Sequence, residues 1–305
     1  MNRNDKVSAI IPTRNRPTLV LRAVRSALAQ TYLDLEVIVV VDGLDEATSA
    51  SLATINDDRL RVIVLPQSHG AQTARNVGID AALGDWIALL DDDDEWLPEK
   101  TALQMARARS SRFRYPIVSC QVFSRTSTYE LIWPRRQPYE PLSEYLLARN
   151  SCSMGEGLMY SITLLFPKDL AVLHSFTPTL KRCHEVDWTL RASMQDGAGI
   201  EFISEPLAVV NRDEERPGIT AVPDWRASLE WVDSVRAIIT PRAYASYVCI
   251  TVSSQAARQH DWKAFLFLFR RIVTRGTPKV RDIAFFLGAW FVPRRLQLAV
   301  RKAGL

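Results

Sequence analysis

The first half of the chain alternates short β-branched apolar runs with stretches of helical periodicity, and nothing else in the sequence constrains the fold as tightly. Val7–Ile11, Leu35–Val41, Arg61–Leu65 and Trp86–Leu90 read as strands. Helices are expected between them at Pro17–Gln30, near Ala47–Ile55 and near Ala71–Leu83. In the first, Val20, Val24 and Leu28 recur at helical spacing and Pro17 suits the opening turn. Such alternation predicts right-handed βαβ units and a parallel sheet buried on both faces. After a helix from Pro98 to about Arg109 the pattern loosens. Strands are expected near Ile117–Phe123, Met159–Phe166, Ile200–Ile203 and Leu207–Val210, with a helix at about Glu185–Gln195. From Trp225 onward only helical periodicity remains.

Composition narrows the class. An apolar fraction of 47% and a charged fraction of 24% over 305 residues exclude disordered and collagen-like chains. Cys120, Cys152, Cys183 and Cys249 form no C-x-x-C pair, so reduced thiols are expected rather than a disulfide scaffold or zinc ribbon. No signal peptide or long uncharged apolar stretch is visible, which points to a cytoplasmic protein. The net charge of +4 is unevenly spread: residues 258–305 hold 11 Lys/Arg against Asp261 and Asp282. An acidic body with a basic tail suggests an anionic partner for the tail.

In open α/β sheets ligands bind beyond the carboxyl ends of the strands, where strand order switches. Three polar clusters fall there: Pro12-Thr13-Arg14-Asn15, Asp42-Gly43 and Asp91-Asp92-Asp93-Asp94-Glu95. The first two alone are ordinary turn sequences. The acidic run is not, because charges ~4 Å apart repel by about 1 kcal/mol in water and about 4 kcal/mol at an effective dielectric near 20. A divalent cation relieves that cost, and an all-oxygen donor set favours Mg²⁺ or Mn²⁺. An EF-hand loop fails, since Trp96 stands where glycine is required. No G-x-G-x-x-G, P-loop, H-E-x-x-H or G-x-S-x-G motif occurs. The histidines His69, His174, His184 and His260 read as ordinary surface or core residues.

With these clusters in place, the chain resembles the family 2 glycosyltransferases of GT-A fold. Ser8–Arg16 resembles that family's opening strand and nucleotide loop, Val37–Gly43 its second strand, and Ala74-Arg75-Asn76-Val77-Gly78 its "ARNxG" helix. Asp85–Trp96 is similar to the segment carrying the metal-binding D-x-D, and His184–Arg191 to the "EDWDxxLR" segment. The resemblance spans about residues 6–212. It implies an α/β fold with a Rossmann-like, mainly parallel sheet flanked by helices, followed by a helical C-terminal extension. It also implies that Pro12, Thr13, Arg14, Asn15, Asp42, Arg75, Asp91 and Asp92 line the donor site. Thr13 and Asp42 would meet the base, Arg75 the nucleotide or its phosphates, and Asp91 the ribose. Asp93 would bind Mg²⁺ or Mn²⁺, and Glu185 or Asp187 would act as general base. Two departures are present: Val41 replaces the first Asp of "DDG", and Val186 separates Glu185 from Asp187.

The expected activity is inverting, metal-dependent transfer from a nucleotide-diphosphate sugar, a UDP-sugar in the first instance, to a glycan or lipid-linked acceptor in surface polysaccharide synthesis. The alternative is a catalytically weak nucleotide-sugar binding or scaffold protein of the same fold. The expected layout is a catalytic domain over 1–222, with halves of about 1–110 and 111–222, and an extension over 223–305. Residues 258–305 are expected to meet an anionic membrane at its cytoplasmic face, or a second subunit, and no nucleic acid is expected as partner.

Overall fold

The computed structural model describes residues 5–150, 156–180, 182–212 and 224–292. Cys152, Arg294, Arg295, Arg301 and Lys302, counted in the sequence reading, lie outside these residues. The chain forms two compact units, one from the described residues of 1–133 and 159–215, the other from those of 134–158 and 216–305. The described residues of 134–158 thus belong to the same unit as the C-terminal helices.

The first unit opens with β1 (Val7–Thr13), α1 (Pro17–Leu28), β2 (Leu35–Val41), α2 (Glu46–Leu52), β3 (Leu60–Val64), α3 (Ala71–Ala81) and β4 (Trp86–Leu89). These pair in parallel as β3-β2-β1-β4. Every residue of β1 and β2 is buried, as expected of strands covered on both faces. Helix α3 lies close on them because Gly78 has no side chain: a Cβ there would come 2.5 Å from Ile10 Cγ2 and 3.2 Å from Val40 Cγ2.

Then follow β5 (Glu95–Trp96), α4 (Lys100–Arg109), β6 (Tyr115–Arg125) and β7 (Glu130–Trp133). Helix α5 (Leu142–Leu147) belongs to the second unit; β8 (Leu165–Pro167), α6 (Lys168–Leu173), α7 (His184–Ser193) and β9 (Ala198–Asn211) complete the first. The sheet has nine strands among the described residues, ordered β3-β2-β1-β4-β8-β6-β9-β5, with β7 on β6. Beyond β4 it is mixed, since β8 runs antiparallel to both β4 and β6. The expected Ile200–Ile203 and Leu207–Val210 are one strand, β9, whose pairing with β6 shifts register at Cys120–Val122. The strand expected over Met159–Phe166 is interrupted by a 3₁₀ turn, Ser161–Thr163, and is strand only from Leu165, in β8. Side chains hold that turn: Trp96 Nε1 donates to Ile162 O at 3.0 Å and Gln104 Nε2 to Thr163 O at 2.6 Å. The ammonium of buried Lys100 sits 4.1 Å over the Trp96 ring, and burial lowers it to about 8.

The second unit adds α8 (Trp225–Ser234), α9 (Pro241–Tyr247), a π-helical turn at Val248–Val252, α10 (Ser253–Arg258), α11 (Lys263–Arg275) and α12 (Val280–Phe291). Its interior includes one buried ion pair, Arg242 with Asp282, to which Ser246 Oγ also donates at 3.0 Å. No helix among the described residues is long and apolar enough to cross a membrane.

Candidate active site

The first three polar clusters gather at the carboxyl ends of β1, β2 and β4, where strand order switches between β1 and β4. Asp91 lies at the centre. Its Oδ1 accepts from Arg75 Nη2, and its Oδ2 accepts from Ser161 Oγ at 2.9 Å. Burial opposes its ionisation, but Arg75, the nearby His184 and the Ser161 bond outweigh that and hold its pKa below the usual carboxylate range. Arg75 is 3% exposed on α3, braced by Gln72 and stacked 5.9 Å from the Phe176 ring.

Asp92 is turned to the protein: Thr13 Oγ1 donates to it at 2.8 Å and Arg16 Nη1 at 2.7 Å. Burial nevertheless pushes its carboxyl up to about 6. Asp93 Oδ2 lies 3.2 Å from the same Arg16 nitrogen. Asp94 Oδ1 accepts from Asn211 N at 3.0 Å, tying the loop to β9. Arg22 pairs with Glu95 at 3.3 Å.

Asp42 is spent on its own surroundings. Its oxygens accept from Ser68 Oγ at 2.6 Å, His69 N at 2.7 Å and Gly70 N at 2.9 Å, which shapes the turn into α3. Burial opposes ionisation there too, and those three bonds win, lowering its pKa. Pro12 is buried within the ladder opposite Val40. Arg14 is exposed and donates to Ser68 Oγ at 2.7 Å. Asn15 has φ 55°, in the left-handed region asparagine tolerates, and its N–H bonds Asp45 Oδ2 at 2.7 Å.

Helix α7 brings in the remaining acids. Asp187 is 5% exposed and its Oδ2 accepts from Arg191 Nη2 at 2.7 Å and Arg191 Nε at 2.9 Å, with Thr177 Oγ1 at 3.2 Å. Glu185 differs. Its buried Oε2 lies 3.3 Å from His184 Nε2 but accepts no hydrogen bond. His184 feels Glu185, Arg75 and Asp91 together, and burial holds its pKa below the ordinary histidine value. His184 thus packs among the candidate site residues, a position that its lack of a motif did not signal. Arg16, Ser161 and Asn211 were also missed. Arg16 alone had a visible signal, standing beside the polar loop; the other two lie far off in sequence.

All donors of the acidic loop are oxygens, which suits Mg²⁺ or Mn²⁺. Among the described residues no group of three His, Cys, Asp or Glu could hold an ion unaided. An all-oxygen loop of this kind would suit an ion shared between one carboxylate and a substrate's phosphates, a common Mg²⁺ arrangement.

The sequence model of "Glycosyl transferase family 2" matches residues 8–168, more than half of the chain. The chain belongs to glycosyl transferase family 2. Within that family it is 38% identical over 118 residues to the succinoglycan biosynthesis protein ExoO of Rhizobium meliloti, covering 39% of this chain and 34% of that one. It is 25% identical over 170 residues to the Escherichia coli UDP-Glc:alpha-D-GlcNAc-diphosphoundecaprenol beta-1,3-glucosyltransferase WfgD, covering 55% and 65%. The match thus spans about a third of ExoO's length. The fold is shared with the mannosyltransferase PcManGT of Pyrobaculum calidifontis, solved with GDP-Man and Mn²⁺: TM-score 0.52, 17% identity, 98% of this chain and 76% of that one.

Proposed function

We propose that this family 2 domain is an inverting, metal-dependent glycosyltransferase using a nucleotide-diphosphate sugar, a UDP-sugar first of all, and a glycan or lipid-linked acceptor. The observation that carries the reading is the convergence of Arg75, Asp91 and Glu185 around His184, with Asp93 two positions beyond Asp91 in the same acidic loop. In this reading Arg75 and Asp91 meet the nucleotide part of the donor, Asp91 at the ribose, and Thr13 and Asp42 meet the base. The names of WfgD, for a UDP-Glc donor and a diphosphoundecaprenol-linked acceptor, and of PcManGT, with Mn²⁺, support the substrate class and the metal.

Glu185 is assigned as general base and Asp187 as the residue that orients α7. Supporting this division, Glu185 keeps a carboxylate oxygen without a hydrogen-bond donor, whereas Asp187 is held by Arg191 and Thr177. Glu185 takes the proton of the attacking hydroxyl as that oxygen bonds to the anomeric carbon; the bond to the diphosphate breaks on the opposite face, inverting the centre. A divalent ion held by Asp93 would stabilise charge on the departing diphosphate. The test is a nucleotide-sugar screen by thermal shift with Mn²⁺ or EDTA, followed by nucleotide release with a diphospholipid-linked sugar. Absence of any donor-dependent shift overturns the reading.

Membrane contact is assigned to α11 and α12. Ala264, Leu268 and Ile272 bury one side of α11, while Trp262, Leu266, Phe269 and Val273 make a second apolar stripe that is exposed. Phe291 lies 6.0 Å from Trp262 and extends it. Exposed Lys263 and Arg270 flank the stripe, the arrangement of a helix lying in an anionic bilayer interface.

A further inference from the structure

The residue just before α1 bridges the acidic loop. Arg16 Nη1 donates to Asp92 Oδ1 at 2.7 Å and reaches Asp93 Oδ2 at 3.2 Å. The two contacts are unequal. Asp92 is a firm anchor, buried and braced on its other oxygen by Thr13. The arm to Asp93 is at the long end of hydrogen-bond range, and one nitrogen serves both carboxylates. Arg22 steadies the same loop from the main-chain side, donating from Nη2 to Asp93 O. Three arginines, Arg16, Arg22 and Arg75, face the five acids of residues 91–95 through ion pairs.

We propose that Arg16 is a resident counter-ion that competes with the divalent cation for Asp93. When the cation enters, Arg16 gives up Asp93 and keeps Asp92, so the loop stays ordered in either state. Arg16 is thus a positioning residue that sets metal affinity without touching the sugar. This rests on the reading of Asp93 as the metal-holding carboxylate.

The experiment measures Mn²⁺ binding by loss of the aqueous Mn²⁺ electron paramagnetic resonance signal, with and without UDP, in the wild type, Arg16→Gln, Arg16→Lys and Asp93→Asn. Arg16→Gln should bind Mn²⁺ about five- to tenfold more tightly, tenfold being ~1.4 kcal/mol. Arg16→Lys, which keeps the charge, should stay within about twofold of wild type, as for a competing point charge. In EDTA, Arg16→Gln should melt below wild type, and saturating Mn²⁺ should close that gap. Should Arg16→Gln be recovered unfolded, Arg16→Met carries the same test. Unchanged or weaker Mn²⁺ binding in the uncharged variant overturns the competition. If the wild type binds no Mn²⁺ even with UDP, or Asp93→Asn binds it as well, the metal reading itself falls and takes the inference with it.

Discussion

At the scale of single residues, two carboxylates two positions apart on α7 have different surroundings, Asp187 held by Arg191 and Glu185 with one oxygen that accepts no hydrogen bond, and the proposed division of roles rests on that contrast. Glu185→Gln should lower kcat by about 10²–10⁴-fold at saturating donor with the melting temperature unchanged. Asp187→Asn should instead weaken the pairing with Arg191 and lower stability by about 1–3 kcal/mol, read by chemical denaturation. A fall in kcat confined to Asp187→Asn would reverse the assignment. Asp92 supplies a pH prediction. Its carboxyl sits at about 6 in the folded chain against ~3.9 unfolded. The folded state therefore holds this proton more tightly, giving a contribution that is complete below about pH 4 and is lost as pH rises through about 6. In EDTA, Asp92→Asn should gain about 2–3 kcal/mol relative to wild type between pH 4 and pH 7. Parallel stability profiles would show that Arg16 and Thr13 already neutralise the group.

At the scale of elements, α3 carries Arg75 and depends on Gly78 for its closeness to β1 and β2. A methyl at Gly78 would meet branched side chains of the parallel sheet. Gly78→Ala should therefore cost about 1–3 kcal/mol, the range for overpacking, and weaken UDP binding by displacing Arg75. Thermal melts and UDP titration together check this; a loss of stability with unchanged UDP affinity would separate the helix from the site. The elements that were easy to read are those with a strict period and clear ends, such as Leu35–Val41 and the helix beginning at Pro17. The turn at Ser161–Thr163 reads as strand because it lies inside the largely apolar run Met159–Phe166. What bends it is bonding from Trp96 and Gln104, about 60 residues away, which no local pattern records.

At the scale of the whole molecule, the exposed stripe on α11 predicts attachment to anionic lipid. The intact protein should float with anionic vesicles at low salt, and Leu266→Glu with Phe269→Glu should abolish flotation without lowering donor turnover on a soluble acceptor. Retention in the soluble fraction as a larger species would mark the stripe as a subunit contact. Several cations of the tail have other duties: Arg271 pairs with Asp233, and Arg281 donates to Asn150. The basic surplus visible in the composition is thus partly internal.

Residue order alone carried the parallel half of the sheet, the place of the polar clusters at its edge and the family resemblance, because strand and helix periods and βα turns are local properties. It could not say which acid answers to which cation. Thr13 on Asp92, Ser161 on Asp91 and Arg16 across Asp92 and Asp93 are contacts between residues 70 to 79 positions apart. The task of each carboxylate is set by burial and by the donor on its other oxygen, and both exist only once β1, β4 and the 3₁₀ turn have packed together.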